Sequence, residues 1–243
     1  MKIKPVLLVM VDISGYTQFV NYHQTSVLHA EEIISELLEA VIDRAQFPLQ
    51  LNKLEGDAAF LFTEITAEPA TVAADVSGQI LRFFDAFKLR QQSLIHHAAG
   101  GCPCDACTNI HQLQLKVVAH AGQAVFKKIK RFEELAGEDV ILVHRLLKNS
   151  ITAGEYILLT EAFYRLTGNL FGAEPENSTE TYDWLGEISV KIFYPKTLIL
   201  SLPVAKPVSK PMGLMEGARM WLMALWHRLL RRRNFNHVPY EST

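Results

Sequence analysis

The chain has 243 residues, of which 49% are hydrophobic and 21% charged, with a formal net charge of −2. That hydrophobic share supports a sizeable core and excludes a disordered chain, while the near-neutral balance excludes a nucleic-acid binder acting through bulk charge. The length suits one large domain, or one domain with an appendage.

Near the N-terminus an apolar run from Val6 to Val11 closes on Asp12. It is too short for a signal-peptide core and predicts a buried strand over Pro5–Asp12. No stretch reaches the ~18 uncharged apolar residues of a membrane span, so a cytoplasmic protein with reduced thiols is expected. Ile13 to Thr17 predicts a tight turn into a helix. Apolar positions 27, 30, 33, 34, 37, 38 and 41 follow helical spacing between Ser26 and Ala45. Leu49–Glu55 and Ala58–Thr63, separated by Gly56-Asp57, predict a β-hairpin. A long helix is expected from Ala70 to about His97, with its stripe at 72, 73, 76, 80, 83, 84 and 87. A Gly- and Cys-rich loop over 98–111 follows. Leu113–Ala121 and Gln123–Ile129 read as a second strand pair, then Gly137–Lys148 as a helix. Tyr156–Thr160 reads as a strand, Glu161–Thr167 as a short helix and Trp184–Tyr194 as a last strand or hairpin arm. One domain over 1–196 is expected. Prolines at 203, 207 and 211 mark a linker over 197–211, followed by a separate helix over 212–233 and a tail over 234–243. The order β-α-ββ-α-ββ-α-β implies an α+β fold with a mixed sheet around a ferredoxin-like kernel.

Two carboxylates carry the chemistry. Asp12 ends the first strand and Asp57 sits in the hairpin turn. In a ferredoxin-like sheet these lie side by side, so both could reach one Mg²⁺ or Mn²⁺. Ser14, Gly15, Tyr16 and Thr17 form a turn whose free N–H groups at a helix start can cradle phosphates. The bland alternative is one capping and one turn aspartate. Cys102, Cys104, Cys107 and His111 offer three thiolates and an imidazole, a tetrahedral set for a structural Zn²⁺, with His97 as another fourth ligand. An ordinary reduced loop is the competing reading. His23, His29, His227 and His237 read as isolated surface or packing residues. The 212–233 helix sets Trp221, Leu222 and Trp226 against Arg219, Arg228 and the Arg231–Arg233 run. It suits either an anionic membrane surface or docking on a protein.

The segments Val11–Thr17 and Lys53–Phe60 resemble the two metal motifs of class III adenylate and guanylate cyclases. His120-Ala121-Gly122 resembles the small-residue turn of that family, Gly137–Leu146 its catalytic helix, and Leu185–Tyr194 its closing strand. Within that superfamily the cysteine run and His144–Asn149 resemble an uncharacterised bacterial family. The resemblance implies the cyclase catalytic-domain fold and a head-to-tail homodimer that binds a nucleoside triphosphate. It implies two metal ions held by Asp12, Asp57 and the backbone of Ile13. Lys53 falls where adenylate cyclases read adenine, which favours ATP, and Glu134 falls at the partner position. Arg145 falls at the arginine that stabilises the transferred phosphoryl group.

One position departs from the family. Four residues before Arg145 the family has the asparagine that orients the ribose, and this chain has Ile141. Losing such a positioned donor costs roughly 10²–10³ in rate. A slow or altered cyclase is the expectation. The alternative is an inactive nucleotide-binding or interaction module tethered by its C-terminal helix.

Overall fold

The structure is a computed structural model that describes residues 1–17, 19, 27–99, 104–169 and 171–195. The expected linker, the 212–233 helix and the tail lie outside the described residues. Its centre is a mixed sheet of eight strands, in which β1 (Lys2–Ser14) pairs antiparallel with β3 (Ala58–Glu64) and β4 (Gln114–Ile129). On one side β3 pairs with β2 (Gln50–Glu55); on the other β4 runs parallel to β6 (Tyr156–Thr160). The sheet continues through β8 (Gly186–Phe193) to the edge strand β7 (Glu176–Tyr182), and β5 (Phe132–Ala136) folds back on β4.

β1 is apolar on both faces because both are covered. Leu7, Val9 and Val11 face a core built with α1 (Val27–Ile42) and α2 (Pro69–Ala99). Each helix buries the stripe its spacing predicts, with Ile33, Leu37 and Val41 from α1 and Ile80, Phe83 and Phe87 from α2. Burying each such side chain contributes ~1.5–3 kcal/mol. Val6, Leu8 and Met10 face the opposite core, which α4 (Glu138–Arg145) closes with Val140, Val143 and the following Leu146. Two further helices among the described residues are α3 (Asp105–Asn109) and α5 (Glu161–Thr167). Among the described residues no helix is long and apolar enough to cross a membrane.

Three expectations change. The pair 113–121 and 123–129 is one continuous strand of 16 residues. Gly122 is not a turn: a Cβ there would lie 2.3 Å from Asp139 Oδ2, so the glycine makes room for a side chain of α4. The helix expected to reach Lys148 ends at Arg145, where Asn149 Nδ2 donates to the Leu146 carbonyl at 2.7 Å. The edge strand β7, Glu-Asn-Ser-Thr-Glu-Thr-Tyr, has no apolar alternation, and the sequence reading contains no counterpart to it.

Candidate functional site

Register brings the two aspartates together. Asp12 stands opposite Ala58 on β3, and the Ile13 N–H donates to the Asp57 carbonyl at 3.2 Å. Asp57 occupies the β2–β3 turn after Gly56, whose φ of 65° suits glycine. Half-buried there, its carboxyl is pushed up to about 6, first by burial and then by the charge of Asp12. Two carboxylates that raise one another's cost of ionisation are a donor set that a divalent cation relieves. Asp12 also meets Lys116, its register partner on β4, whose Nζ lies 2.9 Å from Asp12 Oδ2 and 3.3 Å from the Leu147 carbonyl. Sequence reasoning missed Lys116. The available signal was a lone cation inside the apolar strand Leu115–Ala119.

The turn after Asp12 has the conformation its sequence implies. Gly15 has φ 92°, and its carbonyl accepts the Phe19 N–H at 2.8 Å, closing one helical turn. Ser14 is half-buried and Thr17 exposed. Tyr16 is tied down: its hydroxyl donates to Glu31 Oε1 of α1 at 2.7 Å, and that bond pushes the phenol up to about 12.

Lys53 lies on the same sheet face as Asp12, since it stands opposite Phe60, which stands opposite Met10. Its Nζ is 2.7 Å from Glu55 Oε1. The same oxygen is 3.1 Å from His144 Nε2, while His144 Nδ1 lies 2.7 Å from the Val140 carbonyl. Burial alone would raise the Glu55 carboxyl, but Lys53 and His144 together hold it below its ordinary value. The His144 ring meets Phe60 edge-on with centroids 4.9 Å apart. This commits His144 to β2 and β3. Ile141, 55% exposed, and the exposed Arg145 lie one turn apart on one face of α4. Glu134 stands opposite Lys127 in the β4–β5 register. Among the described residues no hydrogen bond or ion pair joins Glu134 to Lys53, or Arg145 to either aspartate.

The thiols find a partner that the sequence reading assigned elsewhere. Cys104 and Cys107 gather around His29, with ligand atoms all within 4.8 Å of one another. His111 is exposed in the single turn after α3 and does not belong to this set. His29, read as isolated, lies 75 residues from Cys104 in sequence and beside it in the fold, because α1 packs along α2. Its hydrogen bond to Cys104 raises the imidazole above its ordinary value, against the lowering effect of burial. Cys102, and the side chain of His97, lie outside the described residues.

Residues 34–156 match the family described as "Protein of unknown function (DUF2652)". The uncharacterised protein Rv2561/Rv2562 of Mycobacterium tuberculosis is 34% identical over 182 residues, covering 75% of this chain and 82% of that one. The chain belongs to this DUF2652 family. The family span contains Lys53, Asp57, the cysteine run and Arg145; Asp12 and His29 precede it.

This DUF2652 member has the fold of class III nucleotide cyclase domains. The guanylyl cyclase Cya2 superposes with a TM-score of 0.58 at 14% identity, covering 79% of this chain and 92% of that one. The adenylyl cyclase CyaB of P. aeruginosa gives 0.55 at 13% identity, covering 86% and 98%. The guanylate cyclase domain of RhGC from Catenaria anguillulae, solved in complex with GTP, gives 0.51 at 14% identity, covering 79% and 97%.

Proposed function

We propose that the chain binds a purine nucleoside triphosphate, with ATP favoured, and cyclises it slowly to a 3′,5′-cyclic nucleotide. The observation that carries this reading is the meeting of Asp12 and Asp57 beside the Gly15 turn, with the Asp57 carboxyl raised first by burial and then by its neighbour's charge. The donor set of two carboxylates and the Ile13 backbone fits Mg²⁺ or Mn²⁺. When bound, such ions acidify the ribose 3′-hydroxyl and neutralise triphosphate charge.

Backbone N–H groups of Ser14 to Thr17 hold the phosphates. Lys53 leaves Glu55 to read the base, with Glu134 as its partner. Two copies pair head to tail, so that the partner subunit's Arg145 stabilises charge building on the α-phosphate. The 3′-oxygen then attacks the α-phosphorus, the bond to the bridging oxygen breaks, and pyrophosphate leaves.

Ile141 supports the second reading, binding without turnover. An apolar side chain on the Arg145 face of α4 neither donates nor accepts a hydrogen bond, so the 3′-hydroxyl is poorly held in line. The deciding experiment incubates the protein with ATP, GTP, CTP and UTP plus Mn²⁺ and assays for cyclic product, beside Ile141→Asn. Slow cyclisation of ATP is expected, with turnover in Ile141→Asn raised by at least ~10-fold and nucleotide affinity little changed, since the restored contact acts mainly in the transition state. Binding without product in both proteins selects the second reading. Absence of Mn²⁺-dependent nucleotide binding overturns both.

A further inference from the structure

Cys104 caps the N-terminus of α3, and its sulfur accepts the Cys107 amide at 3.4 Å. An amide donated to sulfur favours the thiolate, and Cys-x-x-Cys is a spacing that zinc sites use. His29 Nδ1 stands 3.2 Å from Cys104 Sγ and 3.7 Å from Cys107 Sγ. Zinc bonds of about 2.3 Å to sulfur and 2.0 Å to nitrogen, opened to the tetrahedral angle, place the two donors about 3.5 Å apart. The observed separations bracket that value. One ion therefore reaches all three donors with small side-chain shifts, and two thiolates with an imidazole are soft enough to select Zn²⁺ over Mg²⁺. Cys107 is buried among Ala106, Ile110 and the α1–α2 core, which supports a structural role for the ion.

Two contacts show what such an ion would hold. Glu31, two residues beyond His29, accepts the Tyr16 hydroxyl at 2.7 Å. On the other side, the Gln112 carbonyl sits 3.3 Å from where a Cβ on Gly15 would be. The turn after Asp12 is thus flanked by α1 and by the segment leaving α3. These are the two elements that His29 and the cysteines would join.

We propose that His29, Cys104 and Cys107 bind a structural Zn²⁺ that fastens α1 to α3 and so fixes the Gly15–Tyr16 turn from both sides. The zinc site stands on its own donors, whether or not that turn binds phosphate.

The test is elemental analysis of full-length protein purified without chelator, expected to give about one zinc per chain, as structural sites retain their metal. His29→Ala and Cys107→Ser should each weaken zinc binding by at least the ~100-fold that outer-shell changes alone can cost. His111→Ala should keep the metal. Because a ligand variant can fail to fold, Co²⁺ substitution of the wild type provides a second measurement. Tetrahedral d–d absorption with a thiolate-to-cobalt charge-transfer band is expected. Hydrogen exchange on zinc-loaded and stripped protein should show faster exchange at residues 14–17 once zinc leaves. A metal-free wild type with a Cys104–Cys107 disulfide, or full zinc retention in His29→Ala, overturns the site. Unchanged exchange at 14–17 overturns the clamp.

Discussion

Asp57 sits where its own ionisation is opposed. Its carboxyl is raised from 3.8 to about 6 by burial and by Asp12, so the folded chain holds that proton more tightly than the unfolded chain does. The resulting stability is fully present below the unfolded value and is lost as pH rises through about 6. In metal-free protein, Asp57→Asn should therefore melt higher than wild type near pH 7.5, with the gap closing below about pH 4. Divalent binding should run the other way. The Mn²⁺-induced rise in melting temperature should be large near pH 7.5, fade towards about pH 5 and be absent in Asp57→Asn at any pH. A Mn²⁺ shift that persists in Asp57→Asn removes this residue from the cage. Lys116 sets the other limit: with one Asp12 oxygen already held by its ammonium at 2.9 Å, one remains for an ion.

The elements show which signals a sequence carries. The stripes of α1 and α2 and the Gly56-Asp57 hairpin were legible because local periodicity and turn chemistry alone decide them. The shared face of Ile141 and Arg145 was legible for the same reason. His29 was not, because its partnership depends on how two helices pack. Lys116 was not, because its partner is reached only through the β1–β4 register. Gly122 misled because a glycine inside a strand signals either a turn or a close approach. The close approach here is specific: Asp139 Oδ2 accepts the Gln123 N–H at 2.6 Å, and Oδ1 lies 3.0 Å from His120 Nε2. A Cβ at 122 would displace that carboxylate from both partners. Gly122→Ala should cost about 2–4 kcal/mol, lowering the melting temperature by roughly 5–12 °C. Adding Gly122→Ala to Asp139→Ala should cost less than adding it to wild type, since the carboxylate is then gone and only the His120 ring, whose Nε2 would lie 2.7 Å from the new Cβ, has to shift. Equal costs in the two backgrounds would show that the contact is not what excludes a side chain at 122.

Across the whole molecule, the two sheet faces are unequally furnished. α1 and α2 cover one, and α4 lies on the other beside Asp12, Lys53 and Glu55. Glu55 is shared: one oxygen, Oε1, serves both Lys53 and His144. If Lys53 swings to a base, Glu55 is left to His144 alone, and the last turn of α4 is gripped differently. In the proposed head-to-tail pair that turn ends in Arg145, the residue proposed to serve the neighbouring site. Filling one site would then be felt at the other, giving nucleotide binding a Hill coefficient different from one. Glu55→Gln, which weakens the ionic half of both contacts, should return it towards one with less effect on intrinsic affinity. A wild type that already binds non-cooperatively as a dimer would show that the shared carboxylate carries no message. Where the message exists, a single oxygen atom makes the two proposed sites partners in arithmetic: the first ligand sets the terms on which the second is received.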